Sequence, residues 1–320
     1  MTSLLPIEEG VYLSSIVDLK ELYGEAFLTV SHILRLRVPK EISDPSKIRF
    51  ALSWEPADDA FSAYPNLEMV SSIGAGVDSI LRCQSLSVDT IVTRVRDPYQ
   101  AYTMARFVVW QVIWHHRKMR QYLLNENSHI WKWVESTVVH DCIVGILGFG
   151  MMGQAVANAL VALGYQVIVA CRTERNDPGY PSITLKHGPN SIRDTTAKSN
   201  ILVNLLPLTT ATCSILNADL FAVMPKGSVL IQVGRGEHLV EEDLEAALDS
   251  GKLSAATLDV FRNEPLPTDH PYWNDPRIMV TPHIASESSI ATVVEQVSAC
   301  VEDIAQARIP RFAINREREY

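Results

Sequence analysis

The sequence predicts an α/β protein built on doubly wound parallel sheets, and three features predict it. Short apolar runs recur at 142–147 (CIVGIL), 165–170 (YQVIVA), 200–206 (NILVNLL), 228–233 (SVLIQV), 255–260 (AATLDV) and 277–281 (RIMVT). Helical patterns lie between them, notably 151–164 and 240–251. Glycines cluster where the first run meets the first helix. Runs of strand length alternating with helices imply right-handed crossovers and hence a parallel sheet.

The elements follow in order. The first 100 residues carry strand patterns at 49–54, 68–73 and 89–95, enough for a smaller α/β domain. A helix rich in Trp and Val is expected from about Ala101 to Met119, linking the domains. The helix at 151–164 ends on Gly164, as a helix C-cap would. The one at 240–251 opens with acids, which suit the positive end of the helix dipole, and closes on Gly251. Beyond His283, one helical pattern (290–308) remains, too short for a third domain and expected to pack back on the first.

Composition narrows the function. The chain has 320 residues, 47% hydrophobic and 20% charged, an ordinary globular mix. A net charge of −9 argues against general nucleic-acid binding and against a membrane-surface role, since both need basic patches. None of the five cysteines forms a C-x-x-C pair, which implies free thiols in a reducing compartment. The N-terminus lacks a basic region followed by an apolar core, so no signal peptide is expected. No apolar run approaches the roughly 18–20 residues of a membrane span. A cytoplasmic protein without a bound metal is the expectation.

Gly148, Gly150 and Gly153 stand in G-x-G-x-x-G spacing after an apolar strand and at the start of a helix. That context makes the pattern a dinucleotide fingerprint. Gly148 makes the tight turn, Gly150 lets a pyrophosphate approach the backbone, and Gly153 lets helix and strand pack closely. The helix opening at Met151 and Met152 turns its N–H groups toward the anion. The second strand of such a site ends roughly 20 residues on, where an Asp or Glu holds the ribose 2′-OH of NAD. Here the strand ends in ACRTER: no acid stands at its tip, and Arg172, Thr173 and Arg175 follow. Guanidinium groups bind phosphate through paired donors. Glu174 is expected to face solvent. The reading is therefore NADP(H), with NAD(H) as the lesser cofactor.

Ligands of open α/β sheets bind beyond the carboxyl ends of the strands. Arg235, Glu264 and His283 each follow a different strand run. Imidazole titrates near neutrality and is suited to protonate a carbonyl oxygen. A carboxylate such as Glu264 fixes its tautomer. Arg235 is suited to bind a substrate carboxylate and polarise the neighbouring carbonyl. Asp259, also at a strand end, is placed to hold a nicotinamide amide.

Together GILGFGMMG, LLPLTTAT, VGRGEHLVEEDLEAALDSGKLSAATLDVFRNEPLP and TPHIAS resemble the D-isomer-specific 2-hydroxyacid dehydrogenases, over roughly 140–290. SSIGAGVDSI (71–80) resembles that family's substrate-carboxylate loop. ALSW and SHIWKW are most similar to the glyoxylate/hydroxypyruvate reductase A subgroup. The resemblance implies two Rossmann-like domains. The substrate-binding domain is discontinuous (1–101 plus 286–320), and the dinucleotide-binding domain spans 102–285. It implies a catalytic trio of Arg235, Glu264 and His283, and a substrate site of Trp54, Gly74, Ala75 and Gly76. Leu206, Pro207, Thr212, Val233 and Gly234 join the cofactor contacts. It also implies a homodimer, with 125–133 as an interlocking arm. The chain departs from the family in having Gln232 where many members place Asn, Arg106 where an acid is common, and no arginine in 284–294.

The expected activity is NADPH-dependent reduction of small 2-oxo acids, glyoxylate and hydroxypyruvate, to D-2-hydroxy acids, with His283 as the general acid. Two alternatives are a dinucleotide-sensing protein without turnover and a dehydrogenase of another D-2-hydroxy acid. A D-3-phosphoglycerate-type enzyme is disfavoured by the short tail and by the lack of an extra basic cluster in the first domain. If Arg172 reads a 2′-phosphate, Arg172→Asp lowers the ratio of kcat/KM for NADPH over NADH. An unchanged ratio would assign the phosphate to Thr173 and Arg175, or to neither.

Overall fold

The computed structural model describes residues 7–174 and 182–320. The chain divides into two compact units. One runs to Tyr99 and resumes at Ser288–Tyr320; the other is Gln100–Glu287.

The first unit holds β1 (Glu8–Ser14), α1 (Leu19–Phe27), β2 (Leu34–Arg37), β3 (Ile48–Trp54), β4 (Met69–Ser72), α2 (Asp78–Arg82) and β5 (Ile91–Thr93). Its strands pair in parallel in the order β2-β1-β3-β4-β5. The middle of the sheet is buried on both faces, so β3 and β4 are largely apolar. Tyr12, Phe50, Leu52 and Met69 pack on one face, against Leu19, Tyr23 and Phe27 of α1. Val11, Leu13, Ala51 and Val70 pack on the other, with Ile80 of α2.

β3, β4 and β5 lie on the runs seen in the sequence, whereas β1 and β2 add to them. β1 begins with two acids, and β2 reads LRLR. Their pairing explains this composition: Glu9 lies 3.0 Å from Arg37 and 3.5 Å from Arg35 across the ladder. Charge at an edge strand also discourages pairing with other chains.

In the second unit α3 (Pro98–His116) and α4 (Met119–Asn127) precede β6 (Ile143–Leu147), α5 (Met151–Ala162), β7 (Gln166–Ala170) and β8 (Ile183–Lys186). There follow α6 (Ser191–Thr196), β9 (Ile201–Asn204), α7 (Ala218–Val223), β10 (Ser228–Gln232), α8 (Glu241–Asp249), β11 (Leu253–Leu258) and β12 (Ile278–Val280). The parallel order β12-β11-β10-β9-β6-β7-β8 reverses direction between β6 and β9. That reversal is the topological switch at which open sheets of this kind bind ligands. The helix expected to reach Met119 stops at His116, because Lys118 turns left-handed (φ 52°) before α4 begins. β8 was not apparent as a strand run: ITLK is short and only half covered.

The last helix, α9 (Ile290–Ala305), belongs to the first unit. Val293, Val297, Cys300, Val301 and Ile304 recur at helical spacing and join α1 over the sheet. Beyond it the chain is stapled by Asp303, buried, whose carboxylate accepts from Arg308 and Arg311. Hydrogen bonds from Arg311 foremost hold that carboxyl well below the usual carboxylate range. Ala313 then bridges Thr93 beside β5.

α3 also carries a buried polar chain. His115 Nε2 lies 2.8 Å from Thr257 Oγ1, and the Thr257 hydroxyl donates to Gln111 Oε1 at 2.8 Å. Nε2 therefore carries the proton. Burial pushes the His115 pKa down from 6.5 to about 4. The unfolded chain takes up a proton first, so this group's contribution to stability falls as pH drops from 6.5 to 4. The loss is on the order of 3 kcal/mol. Urea unfolding across that window should show a shallower pH slope, by about one proton, in His115→Gln than in the wild type. Equal slopes would refute a neutral buried His115.

Candidate active site

The glycine turn follows β6. Gly148 has φ +102°, a left-handed conformation that side chains disfavour, and its N–H donates to Ala170 O at the end of β7. A Cβ on Gly153 would sit 2.1 Å from the Gly148 carbonyl oxygen, so only glycine lets α5 start this close to the turn. Gly150 differs: a Cβ there meets nothing within 4 Å. It is the N-cap of α5 and supplies no side-chain acceptor to the first helical N–H groups. Met151 is exposed, while Met152 packs against the sheet.

Beyond β7, Cys171 is buried, and Arg172, Thr173 and Glu174 are exposed. Arg175 lies outside the described residues. β9 leads into Leu206 and Pro207. Thr212 closes the loop that follows, its hydroxyl donating to Pro207 O at 2.7 Å.

β10, β11 and β12 deliver the ionisable groups. β10 runs into buried Val233, then Gly234 and Arg235, whose Nη1 donates to Gly234 O at 2.8 Å. β11 ends at Asp259, which is 1% exposed. After β12 comes His283 with φ +54°. His283 Nδ1 is 2.8 Å from Glu264 Oε2, and Glu264 Oε1 accepts the Phe261 N–H at 2.9 Å. Both carboxylate oxygens are thus engaged, and Nδ1 is the protonated nitrogen facing Glu264. Burial opposes the charge on Glu264. The hydrogen bonds from His283 and Phe261, with the charges of His283 and Arg235, outweigh it and keep the carboxyl below its ordinary range.

Asp259 does most to shape the His283 loop. Its Oδ1 accepts from Thr281 Oγ1 (2.7 Å) and Ile284 N (2.9 Å), its Oδ2 from Ala285 N (2.9 Å), and its carbonyl from His283 N (2.8 Å). Burial nonetheless pushes its carboxyl above the usual range.

Within the first unit, β3 ends at half-buried Trp54 and β4 leads into Gly74, Ala75 and Gly76. Ser72 Oγ donates to Gly76 O (2.7 Å) and accepts from Gly74 N (3.2 Å), while Gly74 O accepts from Val95 N (2.9 Å). Among the described residues the N–H groups of Ala75 and Gly76 have no hydrogen-bond acceptor. Ser72 had no signal in the sequence beyond its place at a strand end. Asn204, at the end of β9, and His238, in the turn after Arg235, had no signal either.

The fingerprint turn and the groups past β10, β11 and β12 define a nucleotide-binding α/β oxidoreductase. The model of the D-isomer specific 2-hydroxyacid dehydrogenase NAD binding domain matches residues 109–285. The chain belongs to the D-isomer specific 2-hydroxyacid dehydrogenase family. Glyoxylate/hydroxypyruvate reductase A of Yersinia enterocolitica is 33% identical over 282 residues, 87% of this chain and 89% of that protein. A D-isomer specific 2-hydroxyacid dehydrogenase from Xanthobacter autotrophicus Py2, solved with NADPH and MES, is 32% identical. It superposes with a TM-score of 0.88 over 97% of this chain and 99% of that one. The NADPH-dependent glyoxylate/hydroxypyruvate reductase of Sinorhizobium meliloti, solved with NADP and sulfate, is 30% identical. Its TM-score is 0.88, with 98% of this chain and 100% of that one covered.

Proposed function

We propose that this protein reduces small 2-oxo acids, glyoxylate and hydroxypyruvate, to D-2-hydroxy acids with NADPH. The observation that carries the reading is the 2.8 Å contact of His283 Nδ1 with Glu264 Oε2, in a carboxylate environment that also feels Arg235. Nδ1–H toward the acid makes Nε2 the nitrogen that faces a substrate. In the protonated ring Nε2 gives its proton to the carbonyl oxygen, and Glu264 stabilises the imidazolium until then. Arg235 takes the substrate carboxylate and draws charge from the carbonyl beside it. Within the first unit, the open N–H groups of Ala75 and Gly76 suit an anionic group, in keeping with the substrate role that the family resemblance implies for them and for Trp54.

The residues present fit a dinucleotide. Open space at Gly150 and the uncapped start of α5 match a pyrophosphate. Met151, Met152, Leu206, Pro207, Thr212, Val233 and Gly234 line the same strand ends. The tip of β7 carries Arg172 and Thr173, both exposed, in place of an acid, with Glu174 two residues beyond Arg172, and this favours a 2′-phosphate. When bound, the nicotinamide supplies the hydride. The relatives solved with NADPH and NADP support the choice. Asp259 already accepts three donors from the His283 loop, two on Oδ1 and one on Oδ2, and the remaining acceptor capacity of Oδ2 suits the amide of a nicotinamide.

NADPH oxidation with a panel of 2-oxo acids tests the reading. Turnover of glyoxylate or hydroxypyruvate is expected, and His283→Ala should lower kcat roughly 10²–10⁴-fold, the range for losing an acid–base group. No turnover of any acid by protein that binds NADPH would refute the reading, as would full activity of the variant.

We also propose a homodimer in the cytoplasm. Four of the five thiols are buried and all are free, in keeping with a reducing compartment. No helix of the described residues is long and apolar enough to cross a membrane. The segment after α4 is pinned where Tyr122 Oη meets Val134 N and O at 3.1 and 3.3 Å, yet Trp131 is fully exposed and Trp133 is 73% exposed. Tyr102 and Trp110 of α3 are exposed as well. Aromatic side chains in such numbers mark an interface. Sedimentation should give twice the 35.6 kDa chain mass, and Trp131→Ser with Trp133→Ser should yield monomer. A monomeric wild type would remove the proposal.

A further inference from the structure

A fully buried polar cluster stands under Arg235. Asn204 ends β9, Gln232 ends β10, and His238 follows Arg235 by one turn; all three are 0% exposed. Leu206 N donates to Asn204 Oδ1 at 3.3 Å, which points the Asn204 amide nitrogen the other way. That nitrogen donates to Gln232 Oε1 at 2.8 Å and lies 3.0 Å from His238 Nδ1. Gln232 Oε1 also accepts from Gly234 N at 3.2 Å.

The cluster closes on the main chain of Arg235 from both sides. The Arg235 N–H donates to His238 Nδ1 at 3.0 Å. The Arg235 carbonyl accepts from Gln232 Nε2 at 2.8 Å and from His238 N at 3.0 Å. Two donors converge on His238 Nδ1, so that nitrogen carries the lone pair. Nε2 faces the Pro207 carbonyl at 3.2 Å and carries the proton. His238 is therefore a neutral ring in a single tautomer. Gly234 makes room for it: a Cβ there would lie 2.8 Å from both Asn204 Nδ2 and His238 Nδ1.

We infer that Gln232 and His238 are positioning residues that aim Arg235 at the substrate carboxylate. The inference rests on the proposed role of Arg235 and goes beyond it. Holding the backbone of an arginine lowers the cost of presenting its guanidinium to a carboxylate in the two-bond geometry. Here the peptide groups on both sides of Arg235 are held by the fully buried side chains of Gln232 and His238. Gln232 is suited to the task by its length. Its oxygen reaches Asn204 and Gly234 while its nitrogen reaches the carbonyl three residues on, and an asparagine side chain is one methylene shorter.

The test is steady-state kinetics with glyoxylate, paired with NADPH affinity from fluorescence titration and a thermal melt. His238→Leu strands the Arg235 N–H and is expected to raise KM for the 2-oxo acid at least tenfold, with NADPH Kd changed less than twofold. His238→Asn keeps an acceptor at the Nδ1 position and should stay within threefold of wild type. Gln232→Asn, a milder cut, should raise KM threefold to tenfold, and it decides the matter if His238→Leu does not fold. A merely structural role predicts additive losses. Positioning predicts that His238→Leu placed on Arg235→Ala lowers kcat/KM less than twofold further. Folded variants with wild-type KM, or additive losses in the double variant, overturn the inference while leaving the proposed function standing. A wild type that reduces no 2-oxo acid overturns the proposed function and this inference with it.

Discussion

The geometry beyond the β12 strand depends on the buried carboxylate of Asp259. It sits where β11 ends, 1% exposed, and three donors from residues 281–285 converge on its two oxygens. Desolvating a carboxylate is expensive, and here burial does raise its pKa. Those three bonds, with the bond from His283 N to its carbonyl, hold the loop in which His283 is left-handed. Only then does Nδ1 come within 2.8 Å of Glu264. Glu264 is fixed in turn, because the Phe261 N–H occupies its other oxygen.

The parallel sheet explains why such loops meet. Every strand of the second unit points the same way, so each strand's carboxyl end opens on one edge. The order reverses between β6 and β9, and the glycine turn after β6 and the loop after β9 diverge there. Gly148 touches both neighbours: its N–H meets Ala170 of β7, and a Cβ on it would meet Leu205 past β9. A second layer of constraint lies beneath this edge, where Asn204, Gln232 and His238 tie the ends of β9 and β10 to the peptide groups of Arg235. Polar groups buried this deeply are stable only when all are paired, which makes the arrangement rigid.

Legibility in the sequence followed burial. β6, β7, β9 and β10 are covered on both faces and stand out as apolar runs, and β11 and β12 keep apolar runs with less cover. β1, β2 and β8 do not, because β2 and β8 are short edge strands and β1 opens on acids, of which Glu9 pairs with Arg35 and Arg37 of β2. Arg235, Glu264 and His283 drew notice because each follows such a run. Thr257, Gln111 and His115 drew none, since a buried chain of hydrogen bonds between helix and strand leaves no local pattern.

By itself the sequence determined the α/β class, the alternation of strands and helices, and the glycine turn with its uncapped helix. All of these depend on residues near one another in the chain. It also placed Arg172 rather than an acid after β7. The tertiary structure alone decided which side chains meet. His238 and Pro207 are 31 residues apart, Asn204 and Gln232 are 28 apart, and Asp259 and Ala285 are 26 apart. Such pairings come into being when parallel crossovers bring strand ends together, and periodicity carries no record of them. The tautomer of His238 and the aim of Arg235 belong to that second category. Both are fixed by which donors and acceptors surround a buried group, and that is settled only once the sheet has closed over them.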